Sequence, residues 1–379
     1  MAYARRIAHI CLRQTATKFP FAQKGIKMSR FFSKELSSLV PYVPGEQPKD
    51  QKYIKLNTNE SPFPPSPNVI NALNAQQVGM LNLYSDPTAS ELVNAMAKVF
   101  GVERDEIAVG NGSDEILAFA FHAFSDKGFT FPSVTYGFYP VFADFFGAKY
   151  KTLPLNDDLS VNVEDYKGLD TGIVIANPNA QTGIYLEAEQ IEEIVASNPD
   201  NIVIIDEAYI DFGGQSVYPL TKKYDNLLVV GTFSKSRNLA GARVGFAIGC
   251  KALIADINTM KFSFNPYNLN RLSIIAAKEA VLDTEYFNAC MEKVKAARAF
   301  TASELEKLGF ECTPSLANFI LAQSDKIEGK ELYLELKSRG ILVRYLGIRG
   351  IENYVRITIG TKEQMQTLID SVKEILKQK

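Results

Sequence analysis

Short apolar runs alternate with amphipathic stretches through the middle of this 379-residue chain. The apolar runs are Phe129–Pro132, Gly172–Ala176, 201–205, Leu227–Thr232 and 244–248. Each is too short for a helix and rich in branched or aromatic residues. Between two of them, 187–197 repeats apolar residues at helical spacing. So does Ser90–Phe100, which stops at Gly101, a residue suited to a left-handed helix end. Apolar strands separated by helices predict a mostly parallel sheet covered on both faces. The Pro-rich segment 62–67 reads as a link, because proline cannot continue a helix or fill a central strand. After about 275 the pattern changes. A long amphipathic stretch, 285–308, is followed by strand-like runs at 318–322, 343–345 and 355–359 and by helical stretches at 329–339 and Lys362–Lys377. The expected architecture is α/β: an N-terminal arm over 28–61, a large α/β domain over 62–275, and a smaller α+β domain over 276–379 that the arm joins.

Composition narrows the classes. Hydrophobic residues make up 46% and charged residues 22%, enough apolar material for a packed core. A net charge of −2 gives nucleic acid or an anionic membrane nothing to hold, and no apolar run is long enough to cross a bilayer. The four cysteines form no Cys-x-x-Cys pair, which fits free thiols in a reducing compartment and a cytoplasmic location. Only His9 and His122 are present, so a His-rich metal site is excluded and no metal is expected. Eight Lys/Arg and no acid precede Glu35. Residues 1–27 are read as an upstream start or an unstructured leader, with a transit peptide as the alternative.

In open parallel sheets ligands bind beyond the carboxyl ends of the strands, so the residues after each apolar run are the ones to weigh. Gly110-Asn111-Gly112-Ser113-Asp114-Glu115 joins a short apolar run to a helix. Ser113 or Asp114 is placed to cap that helix, whose first amides suit a phosphate. Tyr136 and Tyr139 follow a strand through a Pro/Gly turn, where an aromatic ring can stack on a flat ligand. The segment 176–183, Ala-Asn-Pro-Asn-Ala-Gln-Thr-Gly, is a turn rich in amides. Asp206 ends a run of branched residues, and a carboxylate there needs a fixed cation, such as a protonated pyridine nitrogen, or a capping role. Lys235 follows a buried strand directly, between Ser234 and Arg243. A lysine there can form an imine with a carbonyl cofactor, and the flanking Ser and Arg suit a phosphate. Singly, each has an ordinary structural explanation. Together they make the constellation of a pyridoxal-phosphate enzyme.

These residues resemble the fold-type I aminotransferases, and within them the histidinol-phosphate aminotransferase family. The similarity runs from about Leu39 to the C-terminus. It is carried by Leu56-Asn57-Thr58-Asn59-Glu60-Ser61-Pro62, Gly-Asn-Gly-Ser-Asp-Glu at 110–115, Thr-Tyr-Gly-Phe-Tyr at 135–139, Asp-Glu-Ala-Tyr-Ile-Asp-Phe at 206–212, the segment 233–246 and Val-Arg-Ile-Thr-Ile-Gly-Thr at 355–361. The resemblance implies a fold-type I α/β architecture binding pyridoxal 5'-phosphate. Lys235 is then the lysine that holds the cofactor and shuttles a proton, Asp206 pairs the ring nitrogen, Tyr209 bonds the ring hydroxyl and Tyr136 stacks on the ring. Gly112, Ser113, Asp114, Ser234 and Arg243 surround the phosphate. Tyr84 reaches the cofactor phosphate of a partner subunit, which implies a homodimer. Arg356 takes the substrate anion, helped by Arg344 and Tyr42. The implied reaction moves the amine of L-histidinol phosphate to 2-oxoglutarate, giving imidazole acetol phosphate and glutamate. The alternatives are a threonine-phosphate decarboxylase, a broad aromatic aminotransferase and a non-catalytic pyridoxal-phosphate-binding regulator. One segment departs from the family pattern Asn-Pro-Asn-Asn-Pro-Thr-Gly: Ala180-Gln181 stands where the second Asn-Pro pair belongs. The missing amide contact to the ring hydroxyl is expected to fall to Asn179, or to leave Tyr209 alone.

Overall fold

A computed structural model describes residues 29–379. The leader expected over 1–27 lies outside the described residues. In chain order the strands are β1 (Ile54–Lys55), β2 (Ile107–Gly110), β3 (Phe129–Pro132), β4 (Tyr150–Leu153), β5 (Gly172–Ala176), β6 (Val203–Asp206), β7 (Leu227–Thr232), β8 (Gly245–Gly249), β9 (Glu311–Cys312), β10 (Phe319–Gln323), β11 (Ile341–Leu342), β12 (Arg344–Tyr345) and β13 (Val355–Thr358).

A seven-stranded sheet runs β2-β8-β7-β6-β5-β3-β4. Neighbours from β7 to β4 are parallel, and β8 is antiparallel to both β7 and β2. Six strands therefore share one direction and β8 opposes them. The central strands are apolar on both faces because helices cover both. Val174, Ile204, Leu228 and Val230 pack on one side with Ile116, Leu117 and Phe121 of the helix Ser113–Ala123. Ile173, Ile175, Val203, Ile205, Leu227 and Val229 pack on the other with Ile191, Ile194 and Val195 of the helix Ala188–Ala196. Each such side chain contributes roughly 1.5–3 kcal/mol on leaving water. Edge strand β4 reads Tyr-Lys-Thr-Leu and is only half covered, so its sequence lacks the apolar run that marks the inner strands.

The four-stranded antiparallel sheet runs β12-β13-β10-β9. β1, in the N-terminal arm, pairs parallel with β11, with Ile54 opposite Ile341. Two expectations need correction. Pro67 is not part of a link: it opens the helix Pro67–Ala72, with the Ser66 side chain accepting from the Val69 amide, because proline's missing N–H costs nothing in a first turn. The boundary expected at 275 falls inside the helix Arg271–Leu282. Ile274, Ala277 and Val281 of that helix pack with Leu92 and Met96 of Ser90–Phe100. Among the described residues no helix is long and apolar enough to cross a membrane.

Candidate active site

Six parallel strands bring Gly110, Pro132, Leu153, Ala176, Asp206 and Thr232 to one edge of the sheet. Arg243, unlike Lys235, does not follow the carboxyl end of a strand. It precedes the amino end of β8, and reaches the same edge because that strand runs the other way.

Lys235 lies in the loop after β7, partly buried, with its Nζ donating to the Thr58 carbonyl at 3.4 Å and standing 5.8 Å from the Tyr209 ring centre. Burial first, then the nearby Arg356 charge, brings its ammonium down to about 8. A fraction of this amine is therefore neutral near neutral pH. Asp206 is 4% exposed. Its carboxylate accepts from the Tyr139 hydroxyl at 2.8 Å and from the Ala208 amide at 3.2 Å. Burial nevertheless raises the group to about 6, so its ionised form still wants a cation.

At one end of the cleft the helix Ser113–Ala123 begins with no side-chain cap. The capping role expected of Ser113 or Asp114 is not taken up. Asp114 instead accepts from the Tyr136 hydroxyl at 2.7 Å and from Arg243 Nη2 at 3.1 Å. Arg243 Nη1 donates to Ser234 Oγ at 3.3 Å, and Thr232 Oγ1 donates to the same Ser234 oxygen at 2.9 Å. Gly112, at φ +84°, lets the guanidinium lie against the turn: a Cβ there would stand 2.5 Å from Arg243 Nη2. Uncapped amides, a guanidinium and two hydroxyls in one place form an anion seat.

At the other end, Arg344 and Arg356 are direct partners across β12 and β13. Like charges so placed repel. Their contacts are to oxygens of uncharged groups: Arg344 Nη2 to the Val43 carbonyl at 3.4 Å, Arg356 Nη1 to the Ala180 carbonyl at 3.0 Å and to Gln181 Oε1 at 2.8 Å. Among the described residues, Arg356 Nε is buried without a hydrogen-bond partner. Arg356 also lies 5.1 Å from the Phe319 ring centre, and Phe319 meets the Tyr209 ring edge-on at 5.2 Å. Tyr42 stacks on Phe138 at 4.3 Å and approaches Tyr136 at 6.4 Å.

The structure thus gathers Lys235, Asp206, Tyr209, Tyr136, Gly112, Ser113, Asp114, Ser234, Arg243, Arg356, Arg344 and Tyr42 into one neighbourhood. It does not bring in Asn179 as expected. The Asn179 amide donates to the Val134 carbonyl at 2.9 Å and its Oδ1 accepts from the amides of Gln181 and Thr182, so the side chain braces its own turn. Tyr84 is also apart: it is 80% exposed and stacks on Tyr267 at 4.5 Å. Two contacts were missed. Asn59, held at φ 54°, donates to the Tyr209 hydroxyl at 3.0 Å, and Tyr139 bonds Asp206. A residue type common in the left-handed region, within Thr58-Asn59-Glu60, was the available signal for the first. Tyr139 stood out in the sequence only as an aromatic able to stack on a ring, and nothing there paired its hydroxyl with Asp206.

A family model described as "Aminotransferase class I and II" matches residues 51–372. A histidinol-phosphate aminotransferase of Brachyspira hyodysenteriae is 52% identical over 353 residues, which cover 92% of this chain and 100% of that one. A solved histidinol-phosphate aminotransferase of Sinorhizobium meliloti, in complex with pyridoxal-5'-phosphate, superposes with a TM-score of 0.83 at 23% identity, covering 93% of this chain and 99% of that one. An L-threonine-O-3-phosphate decarboxylase of Porphyromonas gingivalis superposes with a TM-score of 0.76 at 24% identity, covering 86% and 99%. At such identities the likeness is one of fold, shared by enzymes of different reactions.

Proposed function

The chain belongs to the class I and II aminotransferases, and from that premise we propose that it transfers the amino group of L-histidinol phosphate to 2-oxoglutarate, giving imidazole acetol phosphate and glutamate. The observation that carries the reading is the arginine pair on β12 and β13: two cations side by side, paired with no carboxylate among the described residues, with Arg356 near enough to Lys235 for its charge to lower that ammonium. Both amine donor and acceptor are strongly anionic, one a phosphate monoester and the other a dicarboxylate. The full-length likeness to the Brachyspira enzyme names the same donor.

The residues present fit pyridoxal phosphate. The anion seat built on Gly112, Ser113, Asp114, Ser234 and Arg243 would take its phosphate. The buried Asp206 is in no ion pair among the described residues, a partner that a protonated ring nitrogen would supply, and Lys235 is an amine lowered toward neutrality. When bound, the cofactor contributes an aldehyde carbon for amine capture and a ring that withdraws electrons. Lys235 would hold that carbon and then move a proton at the substrate Cα. Asp206, oriented by Tyr139, would keep the proton on the ring nitrogen. Tyr209, steadied by Asn59, would donate to the ring hydroxyl without the amide lost at Ala180. Losing one neutral hydrogen bond costs about 1 kcal/mol, which turnover survives. Tyr136, fixed by Asp114, would cover one ring face. Arg356 and Arg344, with Tyr42, would hold the substrate anion and leave its amine over Lys235.

The working unit in this reading is a homodimer in the cytoplasm. Tyr84, exposed and stacked on Tyr267 rather than on a residue of its own site, would reach the cofactor phosphate of the partner. Purified protein supplied with L-histidinol phosphate and 2-oxoglutarate is expected to form glutamate at a rate well above that with phenylalanine or tyrosine as donor. Release of CO₂ from O-phospho-L-threonine without glutamate would replace this reading with the decarboxylase.

A further inference from the structure

Residues 180–181 depart from the family pattern at the point where the chain touches Arg356. We propose that Gln181 is a positioning residue for substrate: its side-chain amide holds Arg356 so that one edge of the guanidinium faces the cleft, and thereby sets the affinity for both anionic substrates. The role presupposes that Arg356 takes the substrate anion.

The amide has one orientation. A guanidinium only donates, so the Gln181 atom 2.8 Å from Arg356 Nη1 is Oε1, and Nε2 faces the Thr135 carbonyl at 3.2 Å. The Gln181 backbone N–H donates to Asn179 Oδ1 at 2.9 Å. With the residue 7% exposed, turning the amide would break a charged bond and strand a buried donor. Nη1 therefore spends both hydrogens on the protein, one on the Ala180 carbonyl and one on Gln181. Nε, on the opposite edge, is buried and has no hydrogen-bond partner among the described residues. That Nε–Nη2 edge is the fork that meets a carboxylate or phosphate through two parallel hydrogen bonds. Gln181 also ties the arginine to Thr135, the residue before Tyr136, so the substrate anion and the ring-covering tyrosine share one brace. Proline at 181 would lack the amide acceptor and the backbone N–H alike. A carboxylate at 181 would hold the arginine but neutralise it.

The test uses the cofactor-loaded enzyme and two variants, Gln181→Met and Gln181→Glu. Calorimetry measures binding of maleate, a dicarboxylate that cannot react. Steady-state assays give KM and kcat for L-histidinol phosphate and 2-oxoglutarate. For Gln181→Met, maleate affinity is expected to fall and both KM values to rise by roughly tenfold, the size of one hydrogen bond to a charged group, with kcat within about twofold. Gln181→Glu is expected to weaken maleate further because a carboxylate in contact with Arg356 pairs with it and spends its charge, an effect that requires the 181–356 contact and so reads it should the Met variant fold poorly. Unchanged maleate affinity in the folded variants, or a fall in kcat at constant KM, would overturn the assignment. A parent enzyme that binds maleate more tightly than Gln181→Met yet ignores L-histidinol phosphate would sink the choice of amino donor and leave the role of Gln181 standing.

Discussion

Asp206→Asn separates what stabilises this fold from what makes it react. Without cofactor the Asp206 carboxylate has hydrogen bonds from Tyr139 and Ala208 but no ion pair among the described residues, and burial, only partly offset by those bonds and the nearby Lys235 charge, raises it from 3.8 to about 6. One pH unit of such a displacement corresponds to about 1.4 kcal/mol, so ionised Asp206 costs the cofactor-free fold about 3 kcal/mol at pH 8. Asparagine keeps an acceptor for Tyr139 and removes the charge. Urea unfolding of the cofactor-free protein at pH 8 is expected to show the variant more stable by about 1–3 kcal/mol. The sign with pH follows from the raised value. The folded parent holds its extra proton between about 3.8 and 6, so its stability falls as pH climbs through that window, and the gap to the variant closes on acidification toward 4. With cofactor the order reverses. Losing the partner of a buried ring cation costs roughly 3–5 kcal/mol, seen as weaker cofactor binding and turnover lower by about a hundredfold or more. A variant less stable than the parent at pH 8, or a gap that persists at pH 4, would refute the reasoning.

Lys235→Ala is expected to abolish turnover while leaving the melting temperature of the cofactor-free protein at or above the parent's, since a buried amine is removed; calorimetry and the glutamate assay check both. Because burial and Arg356 bring Lys235 to about 8, more of the amine is neutral as pH rises, so stopped-flow mixing of the cofactor-free protein with pyridoxal phosphate should show capture speeding up from pH 7 to pH 8.5 and levelling above. Gly112→Ala places a methyl 2.5 Å from Arg243 Nη2 at a positive φ, and is expected to weaken cofactor binding by tenfold or more, with a backbone cost of about 1–2 kcal/mol in an unfolding titration.

The inner strands and the residues at their carboxyl ends were legible because burial on both faces leaves an unbroken apolar run, and a charge directly after such a run is conspicuous. Asp206 and Lys235 are of this kind. β4 was not legible: an edge strand faces water and reads Tyr-Lys-Thr-Leu. The direction of β8 was not legible either, since an apolar run looks the same parallel or antiparallel, and it is that direction that delivers Arg243. Contacts set by tertiary structure stayed hidden. Asn59 meets Tyr209 across 150 positions, and Gln181 meets Arg356 across 175. Asn179 was expected at the ring because its neighbour Ala180 could not be there, but its amide is occupied by the turn it closes.

The most direct test of the account is chemical. The cofactor-loaded enzyme is reduced with borohydride, digested, and its peptides are read by mass spectrometry. Pyridoxyl fixed on the peptide containing Lys235, and its absence from that peptide when L-histidinol phosphate is added before reduction, is the predicted result. Pyridoxyl on another lysine, or on none, would contradict it.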